Sequence, residues 1–392
     1  MDFRFSAEQE AFRKEVREFF HEEMSPEATE GHRDSKEISG WTTEFERSLR
    51  RKTGQRGYLG VAWPEEYGGQ GKGMVYQALL GYEAAYANAP AVDMGVSLVA
   101  PPLMLFGTEE QKQTYLPKIL AGEINFCLGY SEPGAGSDLA GLETKAVEDG
   151  DEFVVTGQKI FTTHAHDADY CWLAARTDPN VPKHKGISLM IMDMKSSGIV
   201  VRPLWTMAGW RHNEMFMDGV RIPKTSLVGE LHRGWYQVAT ALDFERSTFS
   251  AYGSARKHFE QLTHYCKIHW RDGQPLSRDP LIRSKLAGIA IDLAAGVRLS
   301  MRVASLQAQG QFPNYEASVT KIFSTELQQR IATVGYEVLG LYGGLDKGSP
   351  YAPDNGLFAH LMLNSHVASI GAGSNEIQRN IIAQRGLGMP RA

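Results

Sequence analysis

Through the first third of the chain apolar residues return every three or four positions, and the same spacing reappears beyond about Gly234. Between these stretches they alternate with polar residues or run together in short blocks. Phe12, Val16, Phe19 and Phe20 fall on one face of an expected helix. Ser6 with Gln9 three residues on has the form of a capping box that would start it. Thr108 with Gln111 repeats that signature ahead of Tyr115-Leu116-Pro117-Lys118-Ile119-Leu120. Gly and Pro punctuate the region, as in Pro64-Glu65-Glu66-Tyr67-Gly68-Gly69.

From about Ile124 the blocks shorten and favour β structure. Phe153-Val154-Val155, Gly186–Met192, Ile199-Val200-Val201 and Met215-Phe216-Met217 predict strands, continuing to Arg221-Ile222-Pro223. Glu148-Asp149-Gly150-Asp151 predicts a hairpin turn. After Gly234, helical segments at about 235–268, 279–309, 314–341 and 357–385 exceed typical globular helices. They suit an antiparallel bundle that packs against neighbouring subunits. The reading is α+β in three domains: an all-helical 1–123, a small β domain at 124–233 and a helical bundle at 234–392.

Bulk properties narrow the function. Of the 392 residues, 42% are hydrophobic and 22% charged, a globular composition with mass for a large core. A net charge of −5 argues against a nucleic-acid partner, which would want a basic face. Cys127, Cys171 and Cys266 are few, odd in number and in no metal-ligand spacing, so buried free thiols and no metal are expected. The segment Met1–Ser6 lacks an apolar signal core, and no run is long enough to span a bilayer, so the expectation is a cytoplasmic protein.

Three segments carry chemistry. Tyr130-Ser131-Glu132-Pro133-Gly134-Ala135-Gly136-Ser137-Asp138 follows an expected strand. Its glycines let backbone N–H groups approach a ligand and its serines add hydroxyls, which suits a phosphate or the polar rim of a flat ring. It is not the G-x-G-x-x-G fingerprint, which disfavours a nicotinamide site. The second segment is Thr156-Gly157-Gln158-Lys159-Ile160-Phe161-Thr162-Thr163-His164-Ala165. The third, Ile370-Gly371-Ala372-Gly373-Ser374-Asn375-Glu376-Ile377-Gln378-Arg379, has Ser374 as a plausible N-cap. Behind that cap a helix N-terminus offers free N–H groups and the positive end of its dipole. Taken singly, each could be an ordinary turn, strand or helix entry.

Taken together, in this order and spacing, the three segments resemble the acyl-CoA dehydrogenase family over essentially the whole chain. The resemblance implies that family's fold: an N-terminal helical domain, a middle small β-barrel or sandwich and a C-terminal four-helix bundle. It implies FAD, with Ser131 and the Tyr130 backbone at the flavin ring, Ser137 at the pyrophosphate, Phe161 against the ring and Thr163 near N5. Ser374 and Glu376 would also meet the FAD. Many members carry a catalytic glutamate where this chain has Ala372. Leu242-Asp243-Phe244-Glu245-Arg246, paired with Gly-Ala-Gly, resembles isovaleryl-CoA dehydrogenases, which place the base on that segment.

The implied reaction is α,β-dehydrogenation of an acyl-CoA thioester to the trans-2-enoyl-CoA. Glu245 would remove the α-proton, the Ala372 N–H would hold the thioester oxygen, and the β-hydride would pass to N5. Asp243 and Arg246 would lie near the acyl-CoA, and an electron-transfer flavoprotein would accept the electrons.

The resemblance breaks at the residues a subunit lends its neighbour's FAD: His269-Trp270-Arg271-Asp272-Gly273 and Glu337-Val338-Leu339-Gly340-Leu341-Tyr342-Gly343 depart from the family's pattern. This implies either a homotetramer or an α2β2 heterotetramer with a homologous chain, as in some bacterial sterol side-chain dehydrogenases. A flavin-dependent oxidase or monooxygenase on the same fold, and a non-catalytic partner subunit, are the alternatives.

Overall fold

The computed structural model describes residues 4–34, 36–37, 39–91, 94–238, 249–311 and 313–390. In chain order, α1 (Ala7–Glu23), α2 (Thr43–Gln55), α3 (Met74–Ala87), α4 (Ala100–Phe106) and α5 (Glu109–Leu120) come first. Then follow β1 (Phe126–Gly129), β2 (Lys145–Asp149), β3 (Glu152–Lys159), β4 (Tyr170–Arg176), β5 (Ile187–Asp193), β6 (Ile199–Trp205), β7 (Arg211–Pro223) and β8 (Leu227–Val228). The chain closes with α6 (Phe249–Ile268), the short β9 (Trp270–Arg271) and β10 (Gln274–Pro275), α7 (Pro280–Ala308), α8 (Tyr315–Leu339), α9 (Leu357–Ile370) and α10 (Asn375–Ile381). The order is the α, β, α of the sequence reading. The described residues form two compact units, one drawn from Met1–Ala28, Gly73–Ala89 and Arg246–Ala392, the other from Thr29–Lys72 and Pro90–Glu245.

The second unit is built on one sheet, ordered β6-β7-β3-β2-β4-β5-β8, with β1 alongside β4. The β2–β3 hairpin turns at Gly150, whose φ of +61° suits a residue without Cβ. In β4 and β5 successive side chains serve two different cores. Trp172, Ala174, Leu189 and Ile191 join one apolar cluster with Leu59, Leu103, Leu116 and Phe126. Cys171, Leu173, Met190 and Met192 join another with Phe153, Val155, Met215 and Met217. Burial on both faces explains why these strands read as unbroken apolar blocks rather than alternating ones.

The Thr108–Gln111 capping box forms as expected, with reciprocal bonds of 3.1 and 3.2 Å. Gln111 also donates to the Thr225 and Leu227 carbonyls, both at 2.8 Å, so the cap ties α5 to the edge at β8.

The first unit is helical. The Ser6–Gln9 box starts α1, and Phe12, Val16, Phe19 and Phe20 are buried as their spacing predicts. Arg13 and Arg17 both pair with the buried Glu83 of α3, at 2.6 and 2.9 Å. Three close helix contacts depend on glycine. A Cβ at Gly253 would lie 2.2 Å from the Tyr82 carbonyl oxygen, at Gly296 2.1 Å from the Tyr252 ring, and at Gly335 2.0 Å from the Phe358 ring.

One expectation is corrected. The segment 357–385 is not a single helix: α9 ends at Ile370 and α10 begins at Asn375. Ala372 (φ +53°) and Gly373 (φ +82°) are left-handed, which stops the helix, and Ser374 caps the next one by accepting from the Ile377 N–H.

Candidate functional site

The chemistry-bearing segments occur as two constructions, one in each unit. In the sheet unit, β1 runs straight into Tyr130–Asp138. Glu132 and Ala135 exchange backbone bonds of 3.1 and 3.0 Å across a tight turn. Among the described residues nothing accepts from the N–H groups of Gly134, Gly136 or Ser137. A Cβ on Gly134 or Gly136 would meet nothing within 4 Å, so the loop faces open space with its donors unspent.

A buried ion pair fixes this loop from beneath. The wholly buried Lys159 ammonium donates to Glu132 at 2.7 Å and to the Tyr130 carbonyl at 3.1 Å. The same carboxylate accepts from the Glu143 and Thr144 N–H groups, at 2.6 and 2.9 Å. Burial pushes the Glu132 carboxyl up, but the Lys159 charge and these hydrogen bonds outweigh it and hold it below its ordinary value. Burial lowers Lys159, against the raising pull of Glu132.

The second segment leaves β3 beside the first, with the Ile160 N–H donating to the Ser131 carbonyl at 2.9 Å. Phe161 is left-handed (φ +56°) and 61% exposed, an unusual position for a large aromatic ring. Thr163 donates its N–H to the Phe161 carbonyl at 3.0 Å, and its hydroxyl bonds His212 Nδ1 at 2.9 Å. The His212 ring meets the Phe161 ring edge to face, 6.3 Å between centroids. Burial, then the His164 charge, lowers the His212 pKa. Buried Asn213 accepts from the Thr162 N–H through its backbone and donates to the Thr162 carbonyl through its side chain, each at 3.0 Å.

Behind this turn lies a charged network that the sequence gave no sign of. The ligating atoms of Glu46, His164 and Asp167 lie within 4.8 Å of one another. His164 bonds Asp167 at 3.2 Å, and Arg47 donates to the Asp167 carbonyl. Burial opposes the His164 charge, but Asp167 and then Glu46 raise its pKa above the ordinary value. Burial also raises Glu46. With its own cations supplied, the cluster is an ion-pair network that anchors residues 161–168.

In the helical unit the loop 371–374 is held by its own carbonyls and by neighbours, none of which uses the Ala372 side chain. Gln378 donates to the Ala372 and Gly373 carbonyls, both at 3.2 Å, and accepts from Ser318 at 2.7 Å. Buried Lys321 donates to the Ser369 carbonyl at 3.2 Å and to Asn375 at 2.9 Å, and Thr325 bonds Asn375 as well. Ser318, Lys321 and Thr325 share one face of α8. Among the described residues nothing accepts from the Ala372 N–H. Exposed Glu376 is stabilised as an anion by its own backbone N–H, then by Ser374, at the start of α10.

The residues expected to serve a neighbour are occupied within the chain. The His269 ring stacks on Tyr265 with centroids 3.7 Å apart, and Arg271 donates to the Val338 carbonyl at 3.1 Å. Glu337 pairs with Lys285. Glu245, Asp243 and Arg246 lie outside the described residues. Sequence reasoning missed Lys159, His212, Lys321 and Gln378 as supports.

These constructions fit a flat ring with polar edges and an attached phosphate chain: an exposed aromatic wall, a hydroxyl on a neighbouring turn and a loop of unspent N–H donors. Models of the acyl-CoA dehydrogenase N-terminal, middle and C-terminal domains match residues 6–123, 127–220 and 232–387. The acyl-CoA dehydrogenase FadE29 of Mycobacterium tuberculosis is 38% identical over 98% of this chain and 97% of its own.

Among solved structures, the ChsE4–ChsE5 complex from Mycobacterium tuberculosis is similar with a TM-score of 0.92 at 36% identity, covering 100% of both chains. The Tcur3481–Tcur3483 steroid ACAD has a TM-score of 0.90 at 36% identity, again over 100% of both. Butyryl-CoA dehydrogenase from Megasphaera elsdenii has a TM-score of 0.84 at 26% identity, covering 99% of this chain and 100% of that one. The fold is that of an oxidoreductase family whose members are FAD-dependent flavoproteins. The chain belongs to the acyl-CoA dehydrogenase family. Among the described residues no helix is long and apolar enough to cross a membrane.

Proposed function

We propose that this chain is the catalytic subunit of an FAD-dependent acyl-CoA dehydrogenase that forms a heterotetramer with a homologous chain and takes a steroid-derived acyl-CoA. Ser131 and the Tyr130 backbone would hold the flavin ring, with Phe161 against it and the Thr163 hydroxyl near N5. Ser137 and the free N–H groups of Gly134 and Gly136 would hold the phosphates, and Ser374 and Glu376 complete the set. FAD, when bound, supplies the acceptor for a hydride from the substrate β-carbon.

The chain's own part is proton removal and charge stabilisation. Glu245 takes the α-proton, a role resting on the Leu-Asp-x-Glu-Arg resemblance. As negative charge develops on the thioester oxygen, the Ala372 N–H donates to it. The observation that carries this reading is that donor: the Ala372 and Gly373 carbonyls are tied down by Gln378, while the Ala372 N–H has no acceptor among the described residues. Alanine there removes a base and leaves the donor.

The heteromeric part rests on the departures from the family's pattern at His269–Gly273 and Glu337, where Arg271 donates to the Val338 carbonyl and Glu337 pairs with Lys285. It is supported by two similar solved structures, the ChsE4–ChsE5 complex and the Tcur3481–Tcur3483 steroid ACAD, each a pairing of two named chains. The test is anaerobic bleaching of the bound flavin by a panel of acyl-CoAs, for the chain alone and with a homologous partner. Glu245→Gln should slow bleaching by a factor of about 10³ or more, with flavin content kept. Unchanged bleaching removes Glu245 from the mechanism. Full flavin occupancy in a lone homotetramer sinks the heteromer.

A further inference from the structure

We propose that His212 fixes the direction of the Thr163 hydroxyl, accepting its proton at Nδ1 so that Thr163 turns only acceptor lone pairs toward its ligand. The inference rests on the reading above, in which Thr163 meets the edge of the flavin.

Thr163 has two protons it could offer, and the structure accounts for one outright. Its N–H is donated to the Phe161 carbonyl at 3.0 Å, inside the turn. The hydroxyl has one proton and two lone pairs, and it lies 2.9 Å from His212 Nδ1. The direction of that bond therefore decides whether Thr163 presents a donor or an acceptor.

Three features make His212 a fixed partner. The residue is buried, 7% exposed. It stands edge-on to Phe161 at an interplanar angle of 87°. Its backbone is paired in register with Leu204 of β6. Burial and the nearby His164 charge favour the neutral imidazole, and we assign its Nε2–H tautomer, the one that leaves Nδ1 to accept from the Thr163 hydroxyl. No proton is transferred; the histidine only parks the hydroxyl hydrogen on its own side. A cofactor edge that carries a hydrogen is then met by an acceptor, and one that carries only a lone pair is met by another lone pair. His212 is thus a positioning residue that favours the reduced state of whatever Thr163 touches.

The test uses the flavin-loaded protein, with its partner subunit if loading needs one. Nitrogen-15 NMR, with the His212→Asn variant assigning the signals, should show His212 Nδ1 without a proton; a protonated Nδ1 overturns the inference. The flavin midpoint potential should fall in Thr163→Val and in His212→Leu, each by about a fivefold change in the oxidised-to-reduced ratio at fixed solution potential, the worth of one hydrogen bond. The double variant should match Thr163→Val alone. His212→Asn, whose side-chain oxygen can accept in place of Nδ1, should recover most of the lost potential and covers the case in which His212→Leu does not fold. If Thr163→Val shifts the potential and neither His212 variant does, or if the two effects add, His212 has no such role. If Thr163→Val leaves the potential unchanged, Thr163 does not meet the flavin, and the functional reading fails along with the inference.

Discussion

Lys159 and Glu132 show how much the site depends on side chains that would touch nothing bound in it. Both are buried, and each satisfies the other while bracing the loop that begins at Tyr130. Removing one partner strands a charge in the core, so Lys159→Met and Glu132→Gln should each cost about 3–5 kcal/mol in urea unfolding. The double variant should recover much of that loss, and a double-mutant cycle showing simple additivity would contradict the pairing. At this scale the Gly-Ser loop was legible in the sequence, because glycine and serine at such density have few uses beyond turns and ligand contact. Lys159 was not, since a lysine is normally solvated and only the fold shows that this one points inward. His212 was equally hidden: forty-nine residues separate it from Thr163, and its role exists only because β7 returns beside β3.

The helices and strands were readable to the extent that their boundaries rest on local chemistry. Both capping boxes formed where Ser6 and Thr108 predicted them, and the β2–β3 turn fell at Gly150. The break between α9 and α10 was legible only from its far side, where Ser374 caps α10 as expected; apolar periodicity runs on through it, and the two left-handed residues that stop the backbone carry no such signal. Helix contacts through glycine could not be read at all, since a glycine inside a helical pattern looks like a weakness until its neighbour is known. At Gly253 that neighbour is the Tyr82 carbonyl, which cannot rotate away as a side chain could. Gly253→Ala should therefore force α3 and α6 apart and cost about 1–3 kcal/mol or more. Gly288→Ala on α7, where a Cβ would meet nothing within 4 Å, should be neutral or slightly stabilising. Thermal unfolding of the two variants side by side checks this, and equal effects would mean that α3 and α6 are not in such close contact.

For the molecule as a whole, stability should fall on the acid side of neutrality in two stages. His258 is held to about 4, first by burial and then by the charges of Lys257 and His360. The folded state refuses a proton that the unfolded chain accepts near its ordinary value of 6.5, so stability is lost as pH falls from about 6.5 toward 4. Glu83 and Glu132, held below their ordinary values, add a second loss below about 4.5 as they are forced to protonate. His164 acts in the other direction: raised, its contribution is full below 6.5 and disappears as pH rises through its folded value. Urea midpoints across this range should show His258→Gln flattening the upper stage, by on the order of 2 kcal/mol, and sparing the lower one. A wild-type midpoint that stays level from pH 6.5 to 4.5 would refute the upper stage.

The loop around Ala372 has a consequence of another kind. Its shape is specified by Gln378, Asn375, Ser318 and Lys321, so the identity of the side chain at 372 is decoupled from the conformation that aims its N–H. Such a position can gain or lose a carboxylate over generations without the surrounding architecture being rebuilt. A lineage could then carry its base on the 242–246 segment, on this loop or, for a time, on both, and never pass through an inactive ancestor.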